Sequence, residues 1–151
     1  MNIIGIDPGM NGAVVCLYDY NKIETIRLID IGMDVFDFLC KCKKDNINTW
    51  AYIEQIHPMK FEHPISQGKM MYNFGYCVGL LTGSMIPFEF VSPQRWKKAM
   101  GCIAPKGSTS TQKKNIDKAL AQRLFPNLKI THAIADALLI AEYGRRLRKT
   151  L

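Results

Sequence analysis

Three acidic residues interrupt apolar segments of the sequence. Asp7 ends the run IIGI, Glu54 ends the run WAYI, and Asp136 lies within HAIADALLIA. A carboxylate is rarely buried unless it is paired with a cation or coordinates a metal ion. Two of these acids end predicted strands and the third lies on the inner face of a predicted helix, so all of them can converge on one point. That arrangement suits a hard divalent cation, which prefers oxygen ligands.

Each acid also has an ordinary structural explanation. Asp7 could accept backbone N–H bonds in the turn that follows it, Glu54 could pair with a lysine, and Asp136 could pair with an arginine. From the residues alone, these explanations and a shared metal site both stay open. His132 lies four residues before Asp136 on the same helical face. It could be a further ligand, or it could simply begin or pack the helix.

The hydrophobic pattern and the turn residues predict the elements that would position these acids. Strands are predicted around residues 3–6, 13–18, 23–28, 50–56 and 88–91. Helices are predicted over residues 34–44, 66–82, 93–100 and 111–124, followed by a last helix that Thr131 caps and that runs to about residue 148. A meander of three strands followed by alternating helices and strands indicates a mixed five-stranded sheet flanked by helices. The length of 151 residues suits one α/β domain that spans residues 1–151.

Glycines recur along one face of the predicted 66–82 helix and at its end, at Gly68, Gly75, Gly79 and Gly83. Each interior glycine costs about 1 kcal/mol of helix propensity, so the stripe indicates that another backbone approaches closely. The stripe could pack on the sheet or form the face of a dimer.

Positive charge is concentrated in the C-terminal part of the chain. The whole sequence has 20 basic and 13 acidic residues, a net charge of +7. Thirteen of the basic residues and only three of the acidic ones lie within residues 92–151. Such a block favours nucleic acid as a partner, and the alternative is a solvated basic surface with no partner.

The sequence predicts a cytoplasmic protein without membrane contact. No apolar run approaches the roughly 20 residues that span a bilayer, and no basic region precedes the apolar N-terminus. Five cysteines at irregular spacing predict reduced thiols rather than a disulfide framework. Cys40 and Cys42 form a C-x-C pair, but no second pair accompanies it, which argues against structural zinc.

Four blocks of the sequence, in order, resemble those of RuvC-type Holliday-junction resolvases, especially their phage-borne relatives. They are IGIDPGMNGAV (4–14), YIEQIHPM (52–59), VSPQRWKKAMG (91–101) and HAIADALLIAEYGRR (132–146). The blocks span nearly the whole chain. An IDPG-like hairpin also occurs in sugar-kinase and actin-like ATPases, so the resemblance is specific mainly through the second and fourth blocks at these distances.

The resemblance implies an RNase H-like fold, a homodimer and a nuclease that cuts four-way junctions or other branched DNA such as forks. It also implies two Mg²⁺ or Mn²⁺ ions per active site and no nucleotide cofactor. Carried over to this chain, Asp7 would bridge both ions, Glu54 would bind one and Asp136 the other. The family's fourth ligand precedes the last Asp by three residues, where this chain has Ala133, so His132 is the candidate here. Two ions about 4 Å apart would activate water and stabilise the leaving 3′ oxygen.

The resemblance also assigns candidate DNA contacts, each of which could instead lie on a solvated face. The basic candidates are Lys97, Lys98, Lys106, Lys113, Lys114 and Lys118, and Lys113 is in addition a catalytic candidate at the scissile phosphate. The family often has an aromatic residue just after its second block. This chain has His57 there and Phe61 a few residues on, so these two are candidates for stacking on a base.

Two other functions fit parts of the pattern. ATPases of the actin and sugar-kinase superfamily use a similar hairpin, but they close two such domains around the nucleotide, and only one fits in this length. A branched-DNA-binding module would use the same basic surface and would cut poorly or without junction preference.

Overall fold

The computed structural model of this chain describes residues 1–18, 22–29, 32–43, 48–57 and 63–150. The strands are β1 (Asn2–Asp7), β2 (Ala13–Leu17), β3 (Ile23–Arg27), β4 (Thr49–Glu54) and β5 (Phe88–Val91). The helices are α1 (Met33–Lys43), α2 (Pro64–Gly83), α3 (Pro93–Met100), α4 (Ser110–Leu124) and α5 (His132–Lys149). Each of them lies within a few residues of its predicted position.

The strands form one mixed sheet in the order β3-β2-β1-β4-β5. β1, β2 and β3 form the antiparallel meander, whereas β4 runs parallel to β1 and β5 runs parallel to β4. β1 is the central strand and is covered on both faces, which explains why its sequence is apolar without alternation. The predicted RNase H-like α/β sheet flanked by helices is confirmed.

Each face of the sheet carries its own hydrophobic core. α5 lies across β1, β2 and β4 on one face, and α3 and α4 pack against α5 from outside. The opposite core is formed with residues of α1 and α2. Because α5 is enclosed by the sheet on one side and by helices on the other, nearly all of residues 134–144 are buried. This position explains the apolar sequence around Asp136.

β1 and α5 approach each other most closely at Gly5. A Cβ atom at Gly5 would overlap the carbonyl oxygen of Ala137 and the amide nitrogen of Ala141. Both are backbone atoms of a buried helix, so they cannot turn aside as the end of a flexible side chain can. Gly5 therefore sets how close the helix that carries Asp136 lies to the strand that carries Asp7.

We expect Gly5→Ala to lower the free energy of unfolding by about 3 kcal/mol or more, because the added methyl group forces the backbones of β1 and α5 apart. Urea denaturation measures the change. Asp37→Ala, at an exposed position of α1, is the control and should change the free energy of unfolding by less than about 0.5 kcal/mol. Equal unfolding midpoints for Gly5→Ala and the unmodified protein would contradict this packing.

Two helix ends differ from the prediction. α2 begins two residues earlier than expected, because Pro64 suits the first helical position and the His63 side chain accepts a hydrogen bond from the Ile65 amide at 3.4 Å. Thr131 precedes α5 as predicted, but its side chain makes no capping hydrogen bond. α3 begins after Ser92, whose side chain accepts a hydrogen bond from the Arg95 amide, and ends at Gly101 in the left-handed conformation.

The sheet-packing explanation of the glycine stripe is wrong. A Cβ atom at any of its four glycines would meet nothing within 4 Å. α2 turns Asn73, Cys77 and Leu81 towards the core instead. The stripe lies on the exposed face of α2 together with Tyr72, whose exposed fraction is 63%.

The thiol prediction is confirmed, since all five cysteines are free. Cys40 is exposed whereas Cys42 is buried, so the C-x-C pair does not form one site. Among the helices of the described residues, none is long and apolar enough to cross a membrane.

Candidate active site

Asp7 and Glu54 lie side by side at one edge of the sheet. β1 and β4 are parallel with Ile6 opposite Ile53, so their last residues meet where both strands end. Asp136 lies in the second turn of α5, which packs on β1. All three carboxylates are partly buried. The sheet and α5 thus bring together the acids that the sequence singled out.

Burial and mutual repulsion make these carboxylates hard to ionise. Burial raises the pKa of Asp7, although the Gly9 amide opposes this. Burial, followed by the charges of Asp7 and Asp136, raises the pKa of Glu54 to about 8. Burial, followed by the charge of Asp7, raises the pKa of Asp136 to about 7. A cation that enters between these carboxyl groups would stabilise their ionised forms and lower their pKa values.

Two of the three acids are held by protein donors. Asp7 Oδ1 accepts a hydrogen bond from the Gly9 amide at 2.9 Å. Glu54 Oε1 accepts one from the indole Nε1–H of Trp96 at 3.3 Å. Trp96 is fully buried, so the direction of its N–H is set by packing. Asp136 makes no hydrogen bond or ion pair with another described residue, and its charge is balanced only by cations further away.

Carboxylate oxygens are suitable ligands for a hard divalent cation, but the side chains of the described residues do not converge on one position where an ion could bind. Within residues 1–18, 22–29, 32–43, 48–57 and 63–150, no three His, Cys, Asp or Glu side chains are arranged so that they could hold a metal ion as they stand. Three partly desolvated carboxylates that repel each other are nevertheless the ligands such an ion prefers. Coordination would require these side chains to turn towards a common ion.

His132 is the first residue of α5 and its side chain is exposed. It lies one turn before Asp136, as the sequence predicts. None of the hydrogen bonds or ion pairs among described residues joins His132 to the three acids. Its role as a ligand stays a prediction.

Lys97 is a partly buried cation whose charge acts on all three acids. Its Nζ lies 2.6 Å from Asp117 Oδ2 and 4.8 Å from the centre of the Trp96 ring. Burial lowers the pKa of Lys97, but the hydrogen bond to Asp117 and the charges of the acids more than offset this, and the pKa is raised overall. The Lys97 charge acts on Asp7, Glu54 and Asp136 alike.

The remaining predicted basic residues divide by position. The charge of Lys114 acts on Asp7 and Asp136, whereas Lys113 lines a cavity beside Lys97 and Lys98. Lys97 and Lys114 are therefore the lysines linked to the acids, and the catalytic role of Lys113 stays a prediction. Exposed positions hold Lys98, Lys106, Lys113, Lys114 and His57, while Lys118 is partly buried. Phe61 lies outside the described residues.

Sequence reasoning missed two side chains that the structure links to this site, Trp96 and Asp117. Asp117 is buried at 2% exposure and makes the ion pair that holds Lys97. The signal was present in helical spacing, since Asp117, Ala121 and Leu124 share one face of α4. Trp96 and Met100 are likewise four residues apart in a short, otherwise polar helix. An aromatic residue on the buried face of α3 indicates packing. Only the fold shows that the Trp96 indole N–H reaches Glu54.

The mixed sheet in the order β3-β2-β1-β4-β5, with helices on both faces, is an RNase H-like fold. No family model and no curated protein sequence matches the chain. Thermus thermophilus RuvC in complex with a Holliday junction substrate matches with a TM-score of 0.60 and 13% identity, over 97% of this chain and 96% of that chain. A second Thermus thermophilus RuvC structure matches with a TM-score of 0.61 and 14% identity, over 98% and 97%. The yeast mitochondrial Holliday junction resolvase matches with a TM-score of 0.52 and 15% identity, over 97% of this chain and 78% of that chain. At these identities the likeness establishes the fold.

Proposed function

We propose that residues 1–151 form a single nuclease domain that cuts four-way junctions and other branched DNA with the help of divalent metal ions. The observation that carries the proposal is the cluster of three carboxylates with raised pKa values at one edge of a RuvC-type sheet. The resemblance of the four sequence blocks supports a role in phage recombination or genome processing, in the cytoplasm of a host cell.

Asp7, Glu54 and Asp136 would hold two Mg²⁺ or Mn²⁺ ions, with His132 as the further ligand. Such ions, when bound, supply Lewis-acid activation of water and neutralisation of the phosphate charge. Asp7 keeps its orientation through the Gly9 amide, and Glu54 keeps its orientation through the Trp96 indole. Both donors leave the second carboxylate oxygen of each acid available.

The protein's own cations would stabilise the phosphate during cleavage. Lys97 cannot swing freely, because buried Asp117 holds its ammonium group at 2.6 Å. A fixed positive charge beside the acids neutralises developing charge without first having to be ordered. Lys114 adds a second charge from the first turns of α4.

The DNA would follow the basic surface of α3, the 101–109 loop and α4. The proposed phosphate contacts are Lys98, Lys106, Lys113, Lys114 and Lys118, and His57 and Phe61 are proposed to stack at the branch. Affinity that comes from phosphate contacts does not depend on the DNA sequence, and it falls steeply as the salt concentration rises. Selectivity for branches then comes from the shape of the DNA and from the arrangement of two active sites.

A homodimer would supply two such sites to the two equivalent strands of a four-way junction. The exposed glycine face of α2 is the proposed interface, since it leaves room for a second backbone and carries Met71 and Tyr72 at 40% and 63% exposure. Phe90 on β5, 46% exposed, packs against Phe74 of α2 and continues this apolar surface.

We expect Gly79→Leu to weaken dimerisation at least about tenfold, because the side chain would fill the space that a second backbone requires. Analytical ultracentrifugation measures the change, and paired cuts in one junction should become single nicks. Cys40→Leu, at an exposed position of α1, is the control and should leave the dimer intact. A monomeric unmodified protein, or an undisturbed Gly79→Leu dimer, would show that this face is not the interface.

The function itself is tested with labelled four-way junctions, Y-forks and linear duplex of the same sequence, each incubated in Mg²⁺, in Mn²⁺ and in EDTA at equal salt. Paired symmetric nicks in the junction, absent in EDTA, are the expected result. Cutting of forks at a comparable rate would widen the substrate to branched DNA generally. Metal-dependent cutting of linear duplex alone would overturn the structure selectivity.

A second candidate function is a branched-DNA-binding module that cuts weakly or not at all. It is favoured by one observation: among the described residues, the acidic side chains are not oriented so that three of them could bind one metal ion. Tight, salt-dependent junction binding with no product in any metal would establish this alternative.

A further inference from the structure

A cavity of about 450 Å³ lies between α3, the loop that follows it and the first turns of α4. Pro93, Ile103 and Ala104 give it an apolar wall. Ile103 leaves 67% of its surface exposed at this wall, although it is a large apolar residue. Covering it with a flat apolar partner would remove that surface from water.

The polar groups of the cavity indicate an anionic partner. Lys97, Lys98 and Lys113 all line it. Asp117 fixes the ammonium group of Lys97 through their ion pair, whereas Lys98 and Lys113 are exposed and can contact an anion that enters the cavity. A ligand that suits this cavity therefore has a flat apolar part to place against Ile103 and a negative charge beside it. A nucleotide has both, in its base and its phosphate.

The cavity and the acids have two charged side chains in common. Lys97 lines it and acts electrostatically on Glu54 and Asp136. Asp117, on its other wall, also acts on Asp136. Lys97 is thus shared by the cavity and the surroundings of the acids, as is required if a DNA strand places its scissile phosphate at the acids and a neighbouring nucleotide in the cavity. At a branch point the cost of taking a base out of the stack is lowest.

We propose that this cavity receives one unstacked nucleobase next to the scissile phosphate, so that the protein reads a nucleotide flanking the cut. The inference rests on the proposed nuclease function and names a determinant of its substrate choice. Gln94, an exposed amide that also lines the cavity, can donate to and accept from the edge of the base. Ile103 supplies the surface on which the base stacks.

The test uses four-way junctions randomised at the three nucleotides on each side of the cut, with the products sequenced. The unmodified protein should prefer one base by about tenfold at a single flanking position, as expected for one well-seated base. Ile103→Ser should reduce that preference to within about twofold. Ile103→Leu, which keeps an apolar surface of the same volume, should retain it. Because Ile103 is exposed, neither change should affect folding, and thermal unfolding checks this.

A second measurement observes the base directly. 2-Aminopurine placed at the preferred position should become brighter when the junction binds Asp7→Asn protein, because the base leaves the stack, and Ile103→Ser in that background should abolish the rise. Junction cleavage without a flanking preference, or with one that Ile103→Ser leaves unchanged, would overturn the cavity assignment while the nuclease function stands. The absence of metal-dependent cleavage of any branched substrate would remove the nuclease function, and this inference with it.

Discussion

Asp7→Asn and Asp136→Asn are each expected to lower junction cleavage by more than about a thousandfold while leaving junction binding within a few fold. The amide keeps the shape of the side chain but removes the charge that a divalent ion requires, and such ions contribute several kcal/mol to phosphoryl transfer. Rates are measured under single-turnover conditions in Mg²⁺. Binding is measured by fluorescence anisotropy in Ca²⁺ at the same salt.

Asp37→Asn is the matched control, since Asp37 is an exposed acid on α1, on the opposite face of the sheet. It should cut at the unmodified rate. Cleavage by Asp7→Asn within tenfold of the unmodified protein would rule out this cluster as the active site. Equal loss of binding and cleavage would instead assign Asp7 a structural role.

The acid cluster should also make stability depend on pH when no divalent ion is present. The pKa of Glu54 rises from 4.5 to about 8 on folding, and that of Asp136 rises from 3.8 to about 7. At pH values between a group's unfolded and folded pKa, the folded protein binds more protons than the unfolded chain. The free energy of unfolding therefore falls as pH rises through that range. Between pH 5.5 and pH 8 in EDTA we expect a loss of about 3 kcal/mol, after allowance for partial exposure of both groups. Urea denaturation at each pH measures it.

Two comparisons isolate the cause of that pH dependence. Glu54→Gln should flatten the curve and stabilise the protein at pH 8, because it removes one charge from the repelling group. Millimolar Mg²⁺ or Mn²⁺ should stabilise the unmodified protein most at high pH, where the carboxylates are ionised and repel each other, and should have little effect on Asp7→Asn. Stability in EDTA that rises from pH 5.5 to pH 8 would contradict the burial of these acids.

The charges of the basic block illustrate what spacing in a sequence can and cannot show. The excess of lysine and arginine after residue 91 predicts a basic surface that binds a polyanion, and most of those lysines are exposed. The sequence does not show which of them acts on the acids. The charges of Lys97 and Lys114 do so because α3 and α4 both pack against α5, which carries Asp136. Lys113 is next to Lys114 in the chain but points to the cavity, since successive residues of a helix diverge by about 100°.

The stripe of glycines shows the same limit. Four glycines on one helical face indicate a close neighbour, but both the sheet and a second subunit satisfy that pattern. The choice depends on which face of α2 meets the core, and Asn73, Cys77 and Leu81 occupy that face. The stripe is thereby left on the surface.

The sequence by itself determined the order and type of the elements and singled out the three acids within apolar segments. These depend on local periodicity, turn residues and the cost of burying a carboxylate, all of which act over short stretches of chain. The tertiary structure alone decided that Trp96 donates to Glu54, that Asp117 holds Lys97 and that a cavity opens between α3 and α4. Those contacts join residues 20 or more positions apart, or helices whose packing no local pattern specifies, so they exist only once the sheet has brought the helices together.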